Sequence, residues 1–345
     1  MKWGVFDHVD ADGRAPALQY RDRLTFIDAL DHLGAHAYFI AEHHGTPLGL
    51  APSPNLLLAA AAPRTTRIGL GALIQIAALY HPMRLAEEVC MLDQLSDGRL
   101  QLGIGRGAVF LEQQLYGVEP DSVPGRYAEV REIVLRALAD GHVDHHGEHY
   151  TVPDFPMVLR PAQRPHPPLW YGLGSTASAE WAADEDVNCV VLMPAPIATR
   201  LFDTYRARWQ ANGRAGPMPL LGLNRHMVVA ETDGAARAIA EAAFPSWRAS
   251  FEHLWKARAT PLPMKFPETW AEMEAAGTAI AGSPATVRDY LAEQRAATGA
   301  SYIGCQLLFG TMRLADALTS AELMATEIVP AFAADMEIKP KAAAA

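Results

Sequence analysis

Cysteine is scarce in this chain. Among 345 residues there are three, Cys90, Cys189 and Cys305. They show no metal-ligand spacing and each sits in an apolar setting, which argues against a disulfide framework or a thiolate metal site. Reduced, buried side chains in a cytoplasmic protein are expected instead. No apolar run is long enough to cross a bilayer. The opening Met1-Lys2-Trp3-Gly4-Val5-Phe6 has the pattern of a strand rather than of a signal peptide. Basic residues are in the minority, 29 Lys and Arg against 39 Asp and Glu, for a formal net charge of -10. Such a balance argues against nonspecific binding to nucleic acid or anionic membranes, while leaving room for a local basic pocket. No Gly-x-Gly-x-x-Gly follows the first strand, which disfavours a doubly wound dinucleotide-binding sheet.

What is present is a hydrophobic half, 50% of the residues. That suffices for a large core in a single domain over residues 1–345. Strand-like runs begin at Met1, His36, Arg67, Arg99, Leu169, Val187, Leu223 and Tyr302. Helical patterns fall at 18–33, 56–62, 82–95, 124–140, 177–184, 198–210, 234–243, 284–298 and 320–332, with a further short one at 268–276. Gly34 is expected to stop the first helix and Asn55 to cap the second. Eight strands alternating with helices predict an α/β fold of the TIM (β/α)8 barrel class, with insertions. One excursion is expected around 141–168, opening as a hairpin and continuing through a proline-rich stretch. A second irregular segment, around 244–281, carries Pro245, Pro261, Pro263 and Pro267 among Trp247, Trp255, Phe266 and Trp270. Irregular and aromatic at once, it is expected to lie over the C-terminal mouth of the barrel as a lid. Residues 341–345 are expected to fray.

Chemistry should gather where the strands end, because ligands of such folds bind at that face. Ala37-Tyr38-Phe39-Ile40-Ala41-Glu42-His43-His44 is an apolar run that stops abruptly in an acid and two imidazoles. Ser175 and Ser178 flank the start of a helix directly after a strand, where free N–H groups face an anion and hydroxyls can join them. Arg106 follows the fourth strand and can reach a phosphate bidentately. Phe6, ending the first strand, falls either in a pocket or in the barrel core. The histidines of 142–149 invite a metal, with Asp144 and Glu148 among them. Alternation in a hairpin sets His142 and His145 on opposite faces, so a solvated hairpin is expected. His43-His44 is also a poor metal pair, since adjacent strand residues point apart. No metal is expected.

Four stretches, taken in order, resemble the bacterial luciferase-like, flavin-dependent monooxygenases. They are Glu42-His43-His44; the run His81-Pro82-Met83-Arg84-Leu85-Ala86-Glu87-Glu88 continuing to Gly103-Ile104-Gly105-Arg106-Gly107; Gly174-Ser175-Thr176-Ala177-Ser178; and Gly282-Ser283-Pro284. The resemblance implies a TIM barrel, usually dimeric, using FMN reduced by a separate flavin reductase, or the deazaflavin F420 in some branches. It implies His43 over the reactive edge of the flavin as the catalytic proton-transfer group, a task suited to a side chain that titrates near neutral pH. Arg106, Gly174, Ser175 and Ser178 would surround the phosphate. Leu73 and Ile74 would be joined by a cis peptide beneath the ring, and Phe6 and His44 would border the substrate pocket. Two departures stand out: Gly105 where several members have cysteine, and Gly174 where several have an acid. More room or flexibility near the flavin is expected at both, which weakens bioluminescence as the activity. The implied function is oxygenation of a small hydrophobic substrate, aldehyde-like or terpene-like, by reduced FMN and O2. A reductase of the same fold, using FMN or F420, and a non-catalytic flavin-binding protein are the alternatives.

Overall fold

The computed structural model describes residues 1–214 and 216–332; the tail expected to fray lies outside them. Eight parallel strands form its centre: β1 (Lys2–Asp7), β2 (Ala37–Ile40), β3 (Gly69–Ile76), β4 (Leu100–Gly105), β7 (Leu169–Gly172), β8 (Asn188–Val191), β9 (Leu221–Val229) and β11 (Tyr302–Gln306). They pair in that order, and β11 pairs back onto β1. The ring is closed and has no free edge, the solution a TIM barrel gives to unpaired strand edges. A hairpin of β5 (His142–His146) and β6 (Thr151–Pro156) stands apart from it. A ninth parallel strand, β10 (Ala279–Gly282), joins β9 over His226–Val229, beyond the stretch where β8 pairs.

Around the ring lie α1 (Pro16–His32), α2 (Pro54–Ala61), α3 (Pro82–Leu95), α4 (Phe110–Leu115), α5 (Val123–Asp140), α6 (Thr176–Asp184), α7 (Ala195–Ala211), α8 (Asp233–Ala257), α9 (Trp270–Ala275), α10 (Pro284–Thr298) and α11 (Leu314–Leu323). Proline sits in the first turn of α1, α2, α3, α5, α7 and α10, where its missing N–H is harmless. Among the described residues, no helix is long and apolar enough to cross a membrane.

The interior of the ring is filled from below by large side chains. Phe39, Trp170 and Tyr302 meet there, with ring centroids 4.8 Å apart for the first pair and 5.1 Å for Trp170 and Tyr302. Gly4 makes room for them: a Cβ there would collide with the Tyr302 hydroxyl and the Ala37 carbonyl. Between ring and helices a second, larger apolar layer holds Val5, Tyr38, Ile40 and the inner faces of the helices.

Three expectations need correction. The stretch from Phe244 onward is not irregular: α8 continues to Ala257 with Pro245 inside it. Ala236, Ala240, Ala243, Trp247, Ser250 and Leu254 are all buried at helical spacing, and that apolar stripe outweighs one lost hydrogen bond. Trp255 and Trp270 are likewise buried, leaving residues 258–269 and a short turn at 276–278 without regular structure. Asn55 does not cap α2. Its amide is drawn sideways, donating to Glu88 Oε2 at 3.0 Å and accepting from Gln75 at 2.8 Å. The last helix begins earlier than expected, at Leu314, and passes into a wider turn over Met324–Ile328. Short α4 and β10 carry too little periodicity to be visible in the sequence.

Just past β1 lies a buried ionic group. Asp7 accepts from the Tyr38 hydroxyl at 2.6 Å and from Arg23 Nε at 2.9 Å. Asp10 accepts the Gly310 N–H at 2.7 Å, with Arg23 only at 3.9 Å. Burial raises the Asp10 pKa from an ordinary 3.8 to about 7; Arg23 opposes this and Asp7 adds to it. The folded protein therefore keeps a proton on Asp10 that the unfolded chain has released above pH 3.8. Stability from this group is complete below that pH and is lost as pH rises to about 7. Asp10→Asn keeps the acceptor and removes the titration. Thermal melts between pH 4 and pH 8 should show a smaller decline for the variant than for the parent chain.

Candidate functional site

The C-terminal mouth of the barrel opens into a cavity of about 520 Å³, within the range of roughly 300–1,000 Å³ usual for small-molecule sites. Its wall is mostly apolar, with Phe6, Leu48, Leu73, Ile74, Ile76 and Phe251 prominent. The polar side chains on it are few: His8, Glu42, His43, Arg106, Glu112, Ser175, Ser178 and Asn224. His43, Phe6, Leu73, Ile74, Arg106, Gly174, Ser175 and Ser178, scattered in the sequence, are thus brought to one place. Among the described residues, no three His, Cys, Asp or Glu side chains gather as metal ligands would. In the hairpin, exposed His142 pairs with Asp154 while His145 reaches Glu129 at 3.2 Å on the other face.

His44 is the exception. It does not line the cavity but is buried behind it, with Nε2 on Glu42 Oε1 at 2.8 Å and Nδ1 on the Tyr116 hydroxyl at 2.8 Å. Glu42 is fully engaged, its other oxygen accepting the Ile76 N–H and the Tyr80 hydroxyl, each at 3.0 Å. This carboxylate ties the tip of β2 to the end of β3 and fixes how the chain leaves the barrel.

His43 faces the cavity with a defined tautomer. Its Nδ1 lies 2.8 Å from Glu112 Oε1. A carboxylate only accepts, so Nδ1 carries a proton, and in the neutral ring Nε2 keeps a lone pair for a ligand. Glu112 comes from α4 and is almost wholly buried. The ring of His8 stacks on His43, with centroids 5.4 Å apart and planes at 25°. His8 Nδ1 receives the Gln306 amide at 2.8 Å and the Trp247 indole N–H at 3.5 Å. Since an indole only donates, the His8 proton sits on Nε2. Burial, then His43, then His226 hold the His8 pKa well below 6.5, so the ring stays neutral. Two stacked imidazoles thus present opposite roles, a base at His43 and a donor at His8.

The other end of the cavity carries groups that could hold an anion. Arg106 follows β4 and has no carboxylate partner among the described residues. Ser175 caps α6, accepting the Ser178 N–H at 3.2 Å, while the Ser178 hydroxyl returns to the Ser175 N–H at 3.1 Å. This reciprocal box leaves the first N–H groups of a nine-residue helix facing outward. Gly172 and Gly174 have nothing within 4 Å of where a Cβ would stand, so the approach to these groups is open. Between the two ends, the Leu73–Ile74 peptide is cis, and the pairing of β3 with β4 shifts register across it. An open cradle with a free guanidinium at one end, a flat peptide in the middle and an oriented imidazole at the other fits FMN.

Sequence reasoning missed Glu112, His8 and Asn224. For His8 and Asn224 the available signal was alternation: each lies two residues from an inward position, Phe6 or Gly222. Glu112 lies in a helix too short to be read.

A model of the family described as luciferase-like monooxygenase matches residues 1–302. An uncharacterised protein, y4wF, of Sinorhizobium fredii is 40% identical over 330 residues, 95% of this chain and 96% of its own. The oxygenase component of a flavin-dependent trigonelline monooxygenase of Acinetobacter baylyi is 31% identical over 200 residues, 55% of this chain and 54% of its own. Among solved structures, the monooxygenase RslO1 of Streptomyces bottropensis superposes with a TM-score of 0.88 at 25% identity, over 96% of this chain and 100% of that one. The oxygenating constituent of 3,6-diketocamphane monooxygenase from Pseudomonas putida, in complex with FMN, shares the fold at a TM-score of 0.81 and 19% identity, over 96% and 98%.

The two glycines singled out in the sequence, Gly105 and Gly174, differ in kind, which corrects the expectation of extra room at both. At Gly105 the space is taken: a Cβ would stand 2.8 Å from Ile74 Cγ1 and 3.0 Å from its Cδ1. At Gly174 it is open. Gly105→Ala should therefore displace Ile74 and cost about 1–3 kcal/mol of stability. Gly174→Ala should stay within about 0.5 kcal/mol of the parent. Urea unfolding of the two variants separates these outcomes.

Proposed function

Because the chain belongs to the luciferase-like monooxygenase family, we propose that it is an FMN-dependent monooxygenase acting on a small, largely hydrophobic organic substrate. The observation that carries the reading is the His43–Glu112 pair, held at the edge of an apolar cavity whose far end offers Arg106 and the capped start of α6. Reduced FMN, when bound, supplies the electrons with which O2 is activated. The chain's own residues bind, orient and manage protons. Arg106, Ser175 and Ser178 hold the phosphate. Leu73 and Ile74 support the ring. His43 Nε2 takes or returns a proton, and Glu112 stabilises the imidazolium formed when it does so. Phe6, Leu48 and Phe251 keep water from the reacting atoms.

We further propose that reduced flavin arrives from a separate reductase, in keeping with a relative described as an oxygenase component. No second nucleotide-binding unit is needed in this chain. A homodimer through the α2–α3 face would cover Leu56, Met91 and Leu95, which are more than half exposed.

Flavin fluorescence titration tests the cofactor site. Arg106→Ala should weaken FMN binding about 10- to 100-fold, the worth of a charge-assisted hydrogen bond, and Ser178→Ala about tenfold or less. Parent affinity in both variants, with the fold intact, would remove this phosphate site, and F420 in place of FMN would change the cofactor. With a flavin reductase added, oxygen-dependent turnover across a panel of apolar compounds should yield an oxygenated product. His43→Asn should lower that turnover by about 10²-fold or more while leaving FMN affinity near that of the parent. Flavin oxidation that yields only hydrogen peroxide across the panel would count against oxygenation.

The connection 258–269 is proposed as the lid, shorter than the segment expected from composition. Phe266 lies 4.6 Å from Phe251, a residue of the cavity wall, and Leu262 joins Leu111, Leu254 and Trp255. Hydrogen exchange in 258–269 should slow when FMN is bound. Equal and strong protection in both states would make the segment permanent packing.

A further inference from the structure

The wall of the cavity opposite the proposed flavin platform carries a polar group that no step above uses. Asn224 sits on β9, four strands from β3 in either direction round the ring, and so faces Leu73 and Ile74 across the barrel mouth. It lines the cavity and is 7% exposed. Neither its Oδ1 nor its Nδ2 has a hydrogen-bond partner. An amide buried with both atoms unpaired is costly, and an apolar side chain of similar size would avoid the cost.

The barrel also shapes a seat for this amide. In register, Asn224 lies beside Gly304, and Gly304 beside Gly4. A Cβ on Gly304 would collide with Asn224 Oδ1. Gly304 therefore leaves the floor on which the amide lies. On the opposite face of β9, buried Arg225 donates to the carbonyls of Leu192 and Met193, holding the cavity wall next to Asn224. The amide is thus fixed by packing on both sides while its polar atoms are left free. His8, with its proton on Nε2, adds a neutral donor to the same cavity.

We propose that Asn224 is the specificity-determining residue of the substrate half of the cavity. It recognises an uncharged, largely apolar compound that carries a hydrogen-bond donor and acceptor side by side, as in a lactam or a carboxamide. The donor pairs with Asn224 Oδ1 and the acceptor with Nδ2. A hydrocarbon leaves both atoms unpaired and a simple carbonyl compound leaves Oδ1 unpaired, so either is selected against. The proposal deepens the reading above and rests on it for the side of the cavity that the flavin takes.

Three matched probes test it by calorimetry, on the chain with and without FMN. 2-Oxindole has the donor and the acceptor, 1-methyl-2-oxindole lacks the donor, and 2-indanone has the carbonyl alone. The parent chain should bind 2-oxindole about tenfold or more tighter than the other two, the worth of one further hydrogen bond in a desolvated site. Asn224→Leu should bind all three alike and keep FMN affinity; Asn224→Ser serves in its place should the larger side chain disturb folding. No binding of 2-oxindole to the parent chain, equal binding of the three probes, or an undiminished preference in the folded variants would each overturn the proposal. So would a loss of FMN affinity in both variants, which would give Asn224 to the cofactor. A parent chain that binds no FMN would sink the monooxygenase reading instead, and the probe preference without FMN would still decide the role of Asn224.

Discussion

Closure of the eight-stranded ring is the constraint on which the rest depends. In a closed sheet every second side chain must point inward, where volume is limited and no edge offers relief. Along β2 this sends Phe39, Ala41 and His43 into the barrel and Tyr38 and Ile40 into the layer beneath the helices. The same alternation decides between two adjacent imidazoles. His43 reaches the cavity, and His44 is turned into the buried network of Glu42 and Tyr116. One imidazole is presented at the mouth and the other keeps the mouth in shape.

Depth within the ring then determines polarity. At the bottom, Trp170 and Tyr302 fill the interior over glycines; toward the top the inward positions become Asn224, His8 and His43. These polar groups have little freedom. Glu112 sets the tautomer of His43, Trp247 and Gln306 set that of His8, and Gly304 gives Asn224 its bed. An apolar wall makes each such group strong, and it makes a misoriented one equally harmful. Preorganisation by packing is what allows so few polar atoms to suffice.

The eight barrel strands were legible because each is a short apolar run bounded by turn residues, and the meeting of Arg106, Ser175 and Ser178 on one cavity wall because each comes shortly after a strand. The rest was hidden for physical reasons. Pro245 suggested a break, yet the buried stripe from Ala236 to Leu254 carries the helix through it. His44 looked equal to His43 because sequence shows neighbours and not faces. Asn55 has the chemistry of a cap, but two long-range partners, Gln75 and Glu88, compete for its amide and win. Glu112 stands in a six-residue helix, where no periodicity can develop. Its importance comes wholly from a contact 69 residues away in the chain.

That contact has an unusual support. Glu112 belongs to no barrel unit; α4 lies between β4 and α5 and has little surface of its own to bury. It is held by Leu111 packing on Leu254 and Trp255, which lie in the part of α8 beyond Pro245. Had α8 stopped at the proline, that platform would be missing, and α4 would have nothing to bury against on this side. Leu262 of the connection 258–269 enters the same cluster. Packing is therefore continuous from the connection, through the end of α8, to the helix that sets the proton on His43. Any movement of the connection over the cavity must alter the packing of Leu111, one residue from Glu112. The connection proposed as a lid and the helix that carries Glu112 thus share one apolar cluster, so closure by the one would be coupled to the packing of the other.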